Sequence, residues 1–401
     1  MTKSKYDYLI VGAGLAGASA AAGIREVDGR GSILLVGNEA ELPYHRPPLS
    51  KQLWTGKKKV ADIFVHDAAY YRDQAIELLP ATTIAAIDPR DKTAATGSGE
   101  RIGWGRLLLA TGGRPRQLAL PGLAAGDIGT FRTLDDYLAL RSRLREGSSV
   151  AIIGGGFIGL EMAAALVAER ARVTMIFPDP FPLARLLPAA LASAILDLYR
   201  AKGVTVFPGD SPATVEKRDG RIVVHAKSGR SIEADLALAG IGLVPAIELA
   251  QAAGLQTANG IVVDERLQTS AADIYAAGDN ALFFSPDLGR QMRVEHWDNA
   301  AIQGRSAGRN MAGAAEPYTH LPYFYSDLFE FGFEAVGEID AGLTTVTDWK
   351  KENDTGVVYY LRDDRLRGVL LCNVWDKVET ARQLIRAREK LSPAALEGAI
   401  A

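Results

Sequence analysis

The sequence Tyr8-Leu-Ile-Val-Gly-Ala-Gly-Leu-Ala-Gly17 joins an apolar run to three spaced glycines. It predicts a buried strand, a tight turn and a helix that continues through the small residues Ala18–Ile24. In this type of turn Gly12 permits the bend, Gly14 lets the backbone approach a pyrophosphate, and Gly17 lets the helix lie close to the strand. Free N–H groups at the start of the helix favour the bound anion.

A second apolar run, Ser32–Gly37, predicts another buried strand and ends next to Asn38 and Glu39. An acidic side chain at this distance from the glycines usually binds ribose hydroxyls. A glycine pattern of this kind also occurs in turns that are merely tight. The order of strand, glycines, helix, strand and acid nevertheless favours a dinucleotide-binding unit.

The opening pattern returns as Val150-Ala-Ile-Ile-Gly-Gly-Gly-Phe-Ile-Gly159. Its glycines Gly154, Gly156 and Gly159 have the same spacing as those of the first unit. Internal repetition indicates duplication of a fold, so we predict two nucleotide sites, one for a dinucleotide cofactor and one for a dinucleotide substrate.

The ribose partner of the second unit is predicted to be Asp179, because Phe177-Pro178 stands where the acid usually follows the strand. A carboxylate at this position favours NAD over NADP, although Arg185 nearby leaves the phosphate-bearing form open.

The composition is that of a soluble globular protein. The chain has 401 residues and a formal net charge of −3, with 45 basic and 48 acidic side chains. This length fits two or three domains, and the charge balance indicates no attraction to nucleic acid or to an anionic membrane. No uninterrupted apolar run reaches about 18 residues. We therefore expect neither export nor a membrane span, and a cytoplasmic location.

Cys372 is the only cysteine in the chain. A single thiol excludes an internal disulfide, a CxxC redox pair and a cysteine-rich metal site, and nothing else in the sequence suggests a metal ligand. We expect this thiol to be a small, partly buried residue on a strand.

Three further segments carry candidate binding residues. The proline-rich loop Glu41–Trp54 presents Arg46 and Lys51 from a rigid backbone, or it is an ordinary turn with two solvated cations. The strand Arg106–Ala110 continues into Thr111 and Gly112, where backbone close to a ligand is expected.

Asp279 follows the apolar segment that ends in Ala276-Ala-Gly. It is either a sugar-hydroxyl acceptor, which we favour, or a helix N-cap. Beyond it, Glu295-His-Trp-Asp-Asn299 leads into a helix that reaches Asn310, and the positive end of this helix suits an anionic ring.

The remaining pattern predicts alternating strands and helices, followed by a separate α+β region beyond Pro317. Helices are predicted over Asp62–Tyr71, Leu160–Glu169, Leu191–Lys202 and Asp376–Lys390. Strands are predicted over Ile84–Pro89, Lys92–Ala95, Arg172–Phe177, Val204–Phe207, Ile222–Ala226, Ser231–Glu233, Leu236–Gly240, Phe329–Ile339, Thr344–Trp349, Val357–Leu361 and Leu366–Leu371.

Five motifs are specific enough to indicate a family: Pro43-Tyr-His-Arg-Pro-Pro-Leu-Ser-Lys51, Ala110-Thr-Gly-Gly-Arg-Pro-Arg116, Ile152-Ile-Gly-Gly-Gly-Phe-Ile-Gly-Leu-Glu161, Ala276-Ala-Gly-Asp279 and Tyr325-Ser-Asp327. With them the chain resembles the FAD-dependent pyridine-nucleotide oxidoreductases, in the branch of putidaredoxin-type ferredoxin reductases and apoptosis-inducing factor. Several details are closer to apoptosis-inducing factor: Phe157, Phe177-Pro178-Asp179, Arg293-Val-Glu-His296 and Val358-Tyr-Tyr-Leu-Arg362.

The resemblance implies an α/β fold with two doubly wound, Rossmann-like domains, one for FAD and one for NAD, and a C-terminal α+β domain. The expected FAD domain spans residues 1–116 and 243–317, the NAD domain 117–242 and the C-terminal domain 318–401.

The resemblance also assigns binding residues. Those implied to bind FAD are Gly12, Gly14, Ala16, Gly17, Asn38, Glu39, Arg46, Lys51, Ile84, Thr111, Gly112, Arg132, Asp279, Glu295, His296, Trp297 and Tyr325. Those implied to bind NADH are Gly154, Gly156, Phe157, Ile158, Gly159, Glu161, Asp179 and Gly242.

Lys51 and Glu161 are the implied catalytic residues, forming an ion pair beside the flavin. A lysine near the reacting nitrogen stabilises charge on reduced flavin, and the glutamate holds it until the nicotinamide arrives. A purely structural salt bridge is the alternative. Tyr325 covers the ring where these relatives usually have Trp.

The function implied is transfer of electrons from NADH through FAD to a one-electron acceptor. No cysteine precedes residue 372, so we expect no protein disulfide relay. The expected partner is a ferredoxin or a similar small redox protein that serves an oxygenase. Its docking patch is formed by Arg290, Arg293, Arg305 and Arg309, unless these are ordinary solvated side chains.

Two other functions stay open. One is a redox-responsive protein similar to apoptosis-inducing factor, in which NADH controls the oligomeric state. The other is an NADH:quinone reductase. A homodimer is compatible with each of them.

Overall fold

The computed structural model describes residues 4–124 and 126–400, which form two compact units. The first unit contains the described residues of Met1–His45, Val60–Arg114 and Val244–Tyr323. The second contains the described residues of Arg46–Lys59, Pro115–Leu243 and Phe324–Ala401. The chain passes from one unit to the other after His45, Lys59, Arg114, Leu243 and Tyr323.

The first unit is organised around Lys5–Val11, a strand in the interior of a seven-stranded sheet. It pairs in parallel with Ile33–Val36 and with Arg101–Leu109, and Leu9 and Ile10 are fully buried. Parallel strands that are covered on both faces have continuous apolar sequences, which is the pattern seen here. The other strands of this sheet are Ile76–Leu79, Ile84–Asp88, Thr93–Thr96 and Ile274–Ala276.

Two helices of the first unit, Leu15–Val27 and Trp297–Met311, cross at very short distance. A Cβ on Gly304 would lie 2.2 Å from the Ala16 carbonyl oxygen, so only glycine fits at this crossing. The remaining helices are Ala68–Asp73, Glu248–Ala252 and the 3₁₀ turn Val60–Ile63; a second sheet contains Thr257–Ala258, Gly260–Val262, Ala281–Ser285 and Arg290–Met292.

The second unit contains three sheets. Four parallel strands repeat the architecture of the opening unit: Thr205–Pro208, Arg172–Phe177, Ser149–Ile153 and Leu236–Ala239, in that spatial order. A three-stranded antiparallel sheet comprises Pro212–Arg218, Arg221–Ala226 and Ser231–Ala234. A five-stranded sheet comprises Tyr323–Leu328, Phe331–Gly337, Arg365–Cys372, Thr355–Arg362 and Thr344–Lys351.

The helices of the second unit lie between and after these strands. They are Leu134–Arg143, Phe157–Ala168, Ala189–Ala201, Val378–Ala387 and Pro393–Leu396, with a 3₁₀ helix at Pro47–Ser50. The predicted fold class is confirmed: two parallel Rossmann-like units and a C-terminal α+β region. The exact domain limits stay a prediction.

One predicted helix is wrong, and one predicted strand has different ends. Asp62–Tyr71 is not one helix, because the chain leaves the Val60–Ile63 turn and starts a new helix at Ala68, where the Asp67 side chain accepts the Tyr70 N–H. The strand predicted over Phe329–Ile339 is present but shorter, Phe331–Gly337. Phe329 adopts a left-handed conformation (φ 59°) in the turn that precedes it.

Cys372 is fully buried on a strand rather than partly buried, and burial raises the pKa of its thiol. Within the described residues, no helix has the length and apolar character needed to cross a membrane. The same residues contain no cluster of three or more His, Cys, Asp or Glu side chains that would hold a metal ion.

Candidate functional site

The first glycine turn has one glycine that protein packing does not explain. A Cβ on Gly12 (φ 117°) would lie 2.1 Å from the Ala110 carbonyl oxygen, and one on Gly17 would lie 2.0 Å from the Gly12 oxygen. A Cβ on Gly14 would meet no atom within 4 Å. Gly14 therefore borders open space at the start of the Leu15–Val27 helix.

The second glycine turn repeats this geometry. A Cβ on Gly154 (φ 123°) would lie 2.3 Å from the Gly240 oxygen, and one on Gly159 would lie 2.4 Å from the Gly154 oxygen. At Gly156 the nearest atom would be 3.9 Å away.

Both helices that follow these turns begin at the open glycine and have no side-chain N-cap hydrogen bond. Their first N–H groups are available to an anion, and the helix dipole favours one there. Each turn thus fits a pyrophosphate group.

The residues around the first turn form a connected polar set. Thr111 Oγ1 donates to the Ala246 carbonyl at 2.7 Å and accepts from Asn280 Nδ2 at 2.9 Å. Gly112 (φ 63°) accepts the Ala246 N–H. Asn280 is fully buried and was not found by sequence reasoning, although it directly follows a predicted site residue.

Asp279 is buried in a turn that leads into the strand Ala281–Ser285. The N-cap interpretation of this residue is therefore wrong. Arg293 Nη1 donates to the Asp279 backbone carbonyl at 2.9 Å and pairs with Glu295 at 2.7 Å. Ala16 is buried in the same unit and touches the position a Gly278 Cβ would occupy.

The helix predicted to follow Glu295–Asn299 and reach Asn310 is present as Trp297–Met311, with His296 at its N-cap position. Burial lowers the pKa of His296 to about 4. The Trp297 indole N–H donates to His45 Nδ1 at 2.8 Å. Asp298 is buried and lies 2.5 Å from His320 Nε2. His296 is therefore neutral at neutral pH, and the positive charge at this end of the helix comes from the helix dipole and not from an imidazolium.

The ribose candidates of the first unit differ in their surroundings. Glu39 accepts a hydrogen bond from the Tyr44 hydroxyl, whereas Asn38 is exposed. Ile84 is buried at the start of its strand in the same unit.

The proposed docking arginines are largely used inside the first unit. Arg305 and Arg309 both pair with Glu26, and Arg309 also pairs with Glu316. Arg293 is only 10% exposed. The docking patch stays a prediction, with Arg290 and Arg305 as its exposed members.

In the second unit, the proline-rich loop forms the 3₁₀ helix Pro47–Ser50. Arg46 precedes it and donates to the Arg132 carbonyl at 2.7 Å. Arg132 in turn donates its backbone N–H to Asp136, which also closes the capping box of the next helix. The side chain of Lys51, which follows the 3₁₀ helix, is 9% exposed, so the picture of a solvated cation is wrong for it.

Lys51 and Glu161 form a nearly buried ion pair. Lys51 Nζ lies 3.1 Å from Glu161 Oε1, with side chains 9% and 8% exposed. The same ammonium lies 4.2 Å from the centroid of the Tyr325 ring and 3.8 Å from Asp327 Oδ2. Sequence motifs 110 residues apart thus meet at one point, as the resemblance implied.

Two serines complete this cluster. Ser50 Oγ donates to Glu161 Oε2 at 2.6 Å, and Ser326 Oγ donates to Oε1 at 2.8 Å. Both serines stand beside residues that the motifs had singled out, and that adjacency was the only available signal.

The other residues implied for NADH lie around the second turn. Phe157 packs edge-on against Phe324, with ring centroids 5.3 Å apart, and Ile158 beside it is exposed. Asp179 lies 4.0 Å from the exposed Arg185. Gly242 (φ 104°) accepts a backbone hydrogen bond from Arg116.

Two glycine turns of this geometry and a buried lysine–glutamate pair define the class: a dinucleotide-binding oxidoreductase. The pattern described as "Pyridine nucleotide-disulphide oxidoreductase" matches residues 6–304. The chain belongs to this family. The pattern described as "Apoptosis-inducing factor, mitochondrion-associated, C-term" matches residues 307–355 and 347–387.

Relatives of known activity match nearly the whole chain. It is 36% identical to the anthranilate 1,2-dioxygenase system ferredoxin--NAD(+) reductase component of Burkholderia cepacia, over 95% of this chain and 94% of that protein. It is 31% identical to mitochondrial apoptosis-inducing factor 1 of Dictyostelium discoideum, over 96% and 79%. The structure of the covalent putidaredoxin reductase–putidaredoxin complex superposes with a TM-score of 0.91 at 34% identity, covering 98% of this chain and 95% of that one.

Proposed function

We propose that this protein is an NADH-dependent FAD flavoprotein reductase that passes electrons to a ferredoxin serving an oxygenase. The nearly full-length similarity to a ferredoxin--NAD(+) reductase component and to putidaredoxin reductase supports this function. The observation that carries it is the nearly buried Lys51–Glu161 ion pair. It occurs in a chain whose two glycine turns both leave space for a ligand beside the middle glycine.

The FAD site is proposed on the residues of the first glycine turn, with Asp279 at the sugar hydroxyls and the Trp297–Met311 helix pointing its positive end at the ring. The NADH site is proposed on the second turn, with Asp179 at the ribose. The open space at Gly14 and at Gly156 supports both assignments. FAD held there would supply hydride acceptance from NADH and release of the two electrons one at a time.

In this proposal Lys51 stabilises negative charge on the reduced flavin, and Glu161 positions Lys51. The ammonium is nearly excluded from water, so its attraction for negative charge on a reduced ring is stronger than in solvent. Glu161 fixes the position of Lys51 before the substrate binds. Tyr325, whose ring lies beneath the ammonium, is proposed to cover the flavin.

The single cysteine supports direct electron release. Cys372 is fully buried, and burial raises the pKa of its thiol, so little thiolate forms at neutral pH. A dithiol relay needs two reactive cysteines, and this chain has one. The proposed route therefore runs from NADH to FAD to an external acceptor.

Anaerobic stopped-flow absorbance tests the proposal. The yellow protein is mixed with NADH, and the reduced protein is then mixed with a ferredoxin or, separately, with a quinone. Fast bleaching followed by fast reoxidation by ferredoxin is expected. Faster turnover with quinone would favour an NADH:quinone reductase, and slow transfer to every acceptor would contradict a reductase.

A redox-responsive role is the second candidate, favoured by the match to the C-terminal region of apoptosis-inducing factor. It predicts a long-wavelength absorbance band that persists after NADH binds, and a change of mass on reduction. Light scattering of the oxidised and NADH-reduced protein tests this candidate and the proposed homodimer together. Cell fractionation tests the proposed cytoplasmic location.

A further inference from the structure

The Glu161 carboxylate has more hydrogen-bond donors than its ion pair with Lys51 requires. Oε1 accepts from Ser326 Oγ at 2.8 Å and lies 3.1 Å from Lys51 Nζ. Oε2 accepts from Ser50 Oγ at 2.6 Å. Ser326 is 0% exposed and Ser50 is 5% exposed, so water does not replace either hydroxyl.

Because of the two serine hydroxyls, the buried Glu161 carboxylate keeps hydrogen-bond donors even when Lys51 is not beside it. A buried carboxylate that loses its partners is strongly destabilising. Here each oxygen keeps one hydroxyl donor when the ammonium moves away. Lys51 also has a second carboxylate within reach, Asp327 at 3.8 Å, whose side chain is 51% exposed.

The sequence places these functions in adjacent residues. Ser50 directly precedes Lys51, and Ser326 lies between Tyr325 and Asp327. Each of the two segments thus supplies one serine hydroxyl to Glu161. The residue beside Ser50 is Lys51 itself, and the residues on either side of Ser326 lie close to the Lys51 ammonium.

We propose that Ser50 and Ser326 are positioning residues that anchor Glu161, so that Lys51 can leave it for the bound flavin without stranding a buried carboxylate. This inference rests on the proposed function for its kinetic consequence, but its structural core concerns the protein alone. In the absence of the serines Lys51 becomes the only donor to Glu161 among the described side chains and is held there.

The first test measures thermal unfolding of the FAD-free protein, where neither NADH nor electron transfer takes part. Lys51→Met is made in the natural chain and in the Ser50→Ala/Ser326→Ala chain. In the natural chain we expect the midpoint to fall by about 2 °C at most, and in the double-alanine chain by more than about 5 °C. An equal fall in both chains would overturn the inference.

Two matched substitutions control for side-chain loss as such. Lys58→Met removes an exposed lysine of the same loop, and Ser142→Ala removes an exposed serine hydroxyl of the Leu134–Arg143 helix. Both should act alike in the two chains. If only the triple variant fails to fold while both parents fold, that result supports the inference, and each single serine background then gives the graded effect.

The second test uses the FAD-loaded protein. In Ser50→Ala/Ser326→Ala we expect the limiting rate of reduction by NADH to fall about tenfold, with the Kd for NADH unchanged within about twofold. The midpoint potential of bound FAD, measured by dye equilibration, should become more negative. In a Glu161→Gln background the serine substitutions should add nothing to these effects; additive effects would contradict the inference.

The two tests separate this inference from the proposed function. If the natural protein is not reduced by NADH, the proposed function fails, while the unfolding result still decides the role of the serines. If reduction is fast but unaffected by the serine substitutions, only the inference fails.

Discussion

Lys51 Nζ lies 3.1 Å from Glu161 Oε1, and both side chains are almost excluded from water. An ammonium in such surroundings acts on nearby charge with less screening than a surface lysine does. At the same time Glu161 keeps hydroxyl donors on both oxygens, so the pair is not required to satisfy the carboxylate. In the proposed arrangement Lys51 is a cation that can move and Glu161 an anion that stays anchored.

Lys51→Met should therefore slow reduction of the bound flavin by NADH more than it destabilises the fold. We expect the limiting rate in anaerobic stopped-flow experiments to fall by at least about tenfold, a loss of about 1.4 kcal/mol of transition-state stabilisation. Lys58→Met, at an exposed position of the same loop, should leave the rate unchanged. A normal rate in Lys51→Met would reduce the ion pair to a structural salt bridge.

Gly14→Ala should affect FAD binding, whereas Gly12→Ala should affect the stability of the fold. Gly14 has φ −88° and open space at its Cβ position, so alanine fits the empty protein but obstructs the proposed pyrophosphate. We expect FAD binding to weaken by at least about tenfold with little change in thermal stability. Gly12→Ala should destabilise the protein itself by about 1–3 kcal/mol, because its Cβ would clash with backbone and its φ is positive.

Titration of the FAD-free variants with FAD and thermal unfolding of each variant separate these outcomes. Gly29→Ala, in a surface turn where a Cβ meets nothing, is the matched control. Should Gly14→Ala bind FAD normally, the first turn does not hold the pyrophosphate.

The elements predicted well from sequence were those with strong local patterns. The runs Tyr8–Val11 and Val150–Ile153 are apolar throughout because parallel strands are covered on both faces, and spaced glycines follow each of them. These two patterns alone establish the two nucleotide-binding units. Each pattern lies within one short continuous stretch of sequence, so no long-range contact is needed to recognise it.

The missed features depend on distant parts of the chain. Ser326 reaches Glu161 across 165 residues, and no periodicity in the sequence encodes such a contact. The strand Tyr323–Leu328 was missed because its turn contains Phe329, a residue type that gives no turn signal despite its positive φ. Lys51 and Glu161 were paired only through the family resemblance.

Acidification should destabilise the protein through His296. Its pKa in the fold is about 4, against an ordinary value of 6.5, because burial outweighs the attraction of Asp279 and Asp298. Between these values the unfolded chain binds more protons than the folded one, so the free energy of unfolding rises with pH there and falls as the pH drops from about 6.5 towards 4.

Urea unfolding of the natural protein and of His296→Gln, at several pH values from 4.5 to 7.5, measures this effect. The natural protein should lose on the order of 1–2 kcal/mol more than the variant between pH 7 and pH 5. Parallel pH profiles would mean that His296 is not held neutral by its surroundings.

Asp179 should determine the preference for NADH over NADPH. Its carboxylate is positioned after the second strand of its unit, where it would accept hydrogen bonds from ribose hydroxyls and repel a 2′-phosphate. Arg185 lies only 4.0 Å away and is 86% exposed, so it is available to a phosphate once the carboxylate is removed. We expect Asp179→Ser to weaken NADH binding about tenfold and to strengthen NADPH binding, measured as Kd by stopped-flow reduction at varied coenzyme concentration.

Asp179→Ser/Arg185→Ala should lose the gain for NADPH while keeping the loss for NADH, because only the arginine supplies positive charge to the phosphate. If Asp179→Ser binds both coenzymes as the natural protein does, the ribose contact lies elsewhere on the second turn.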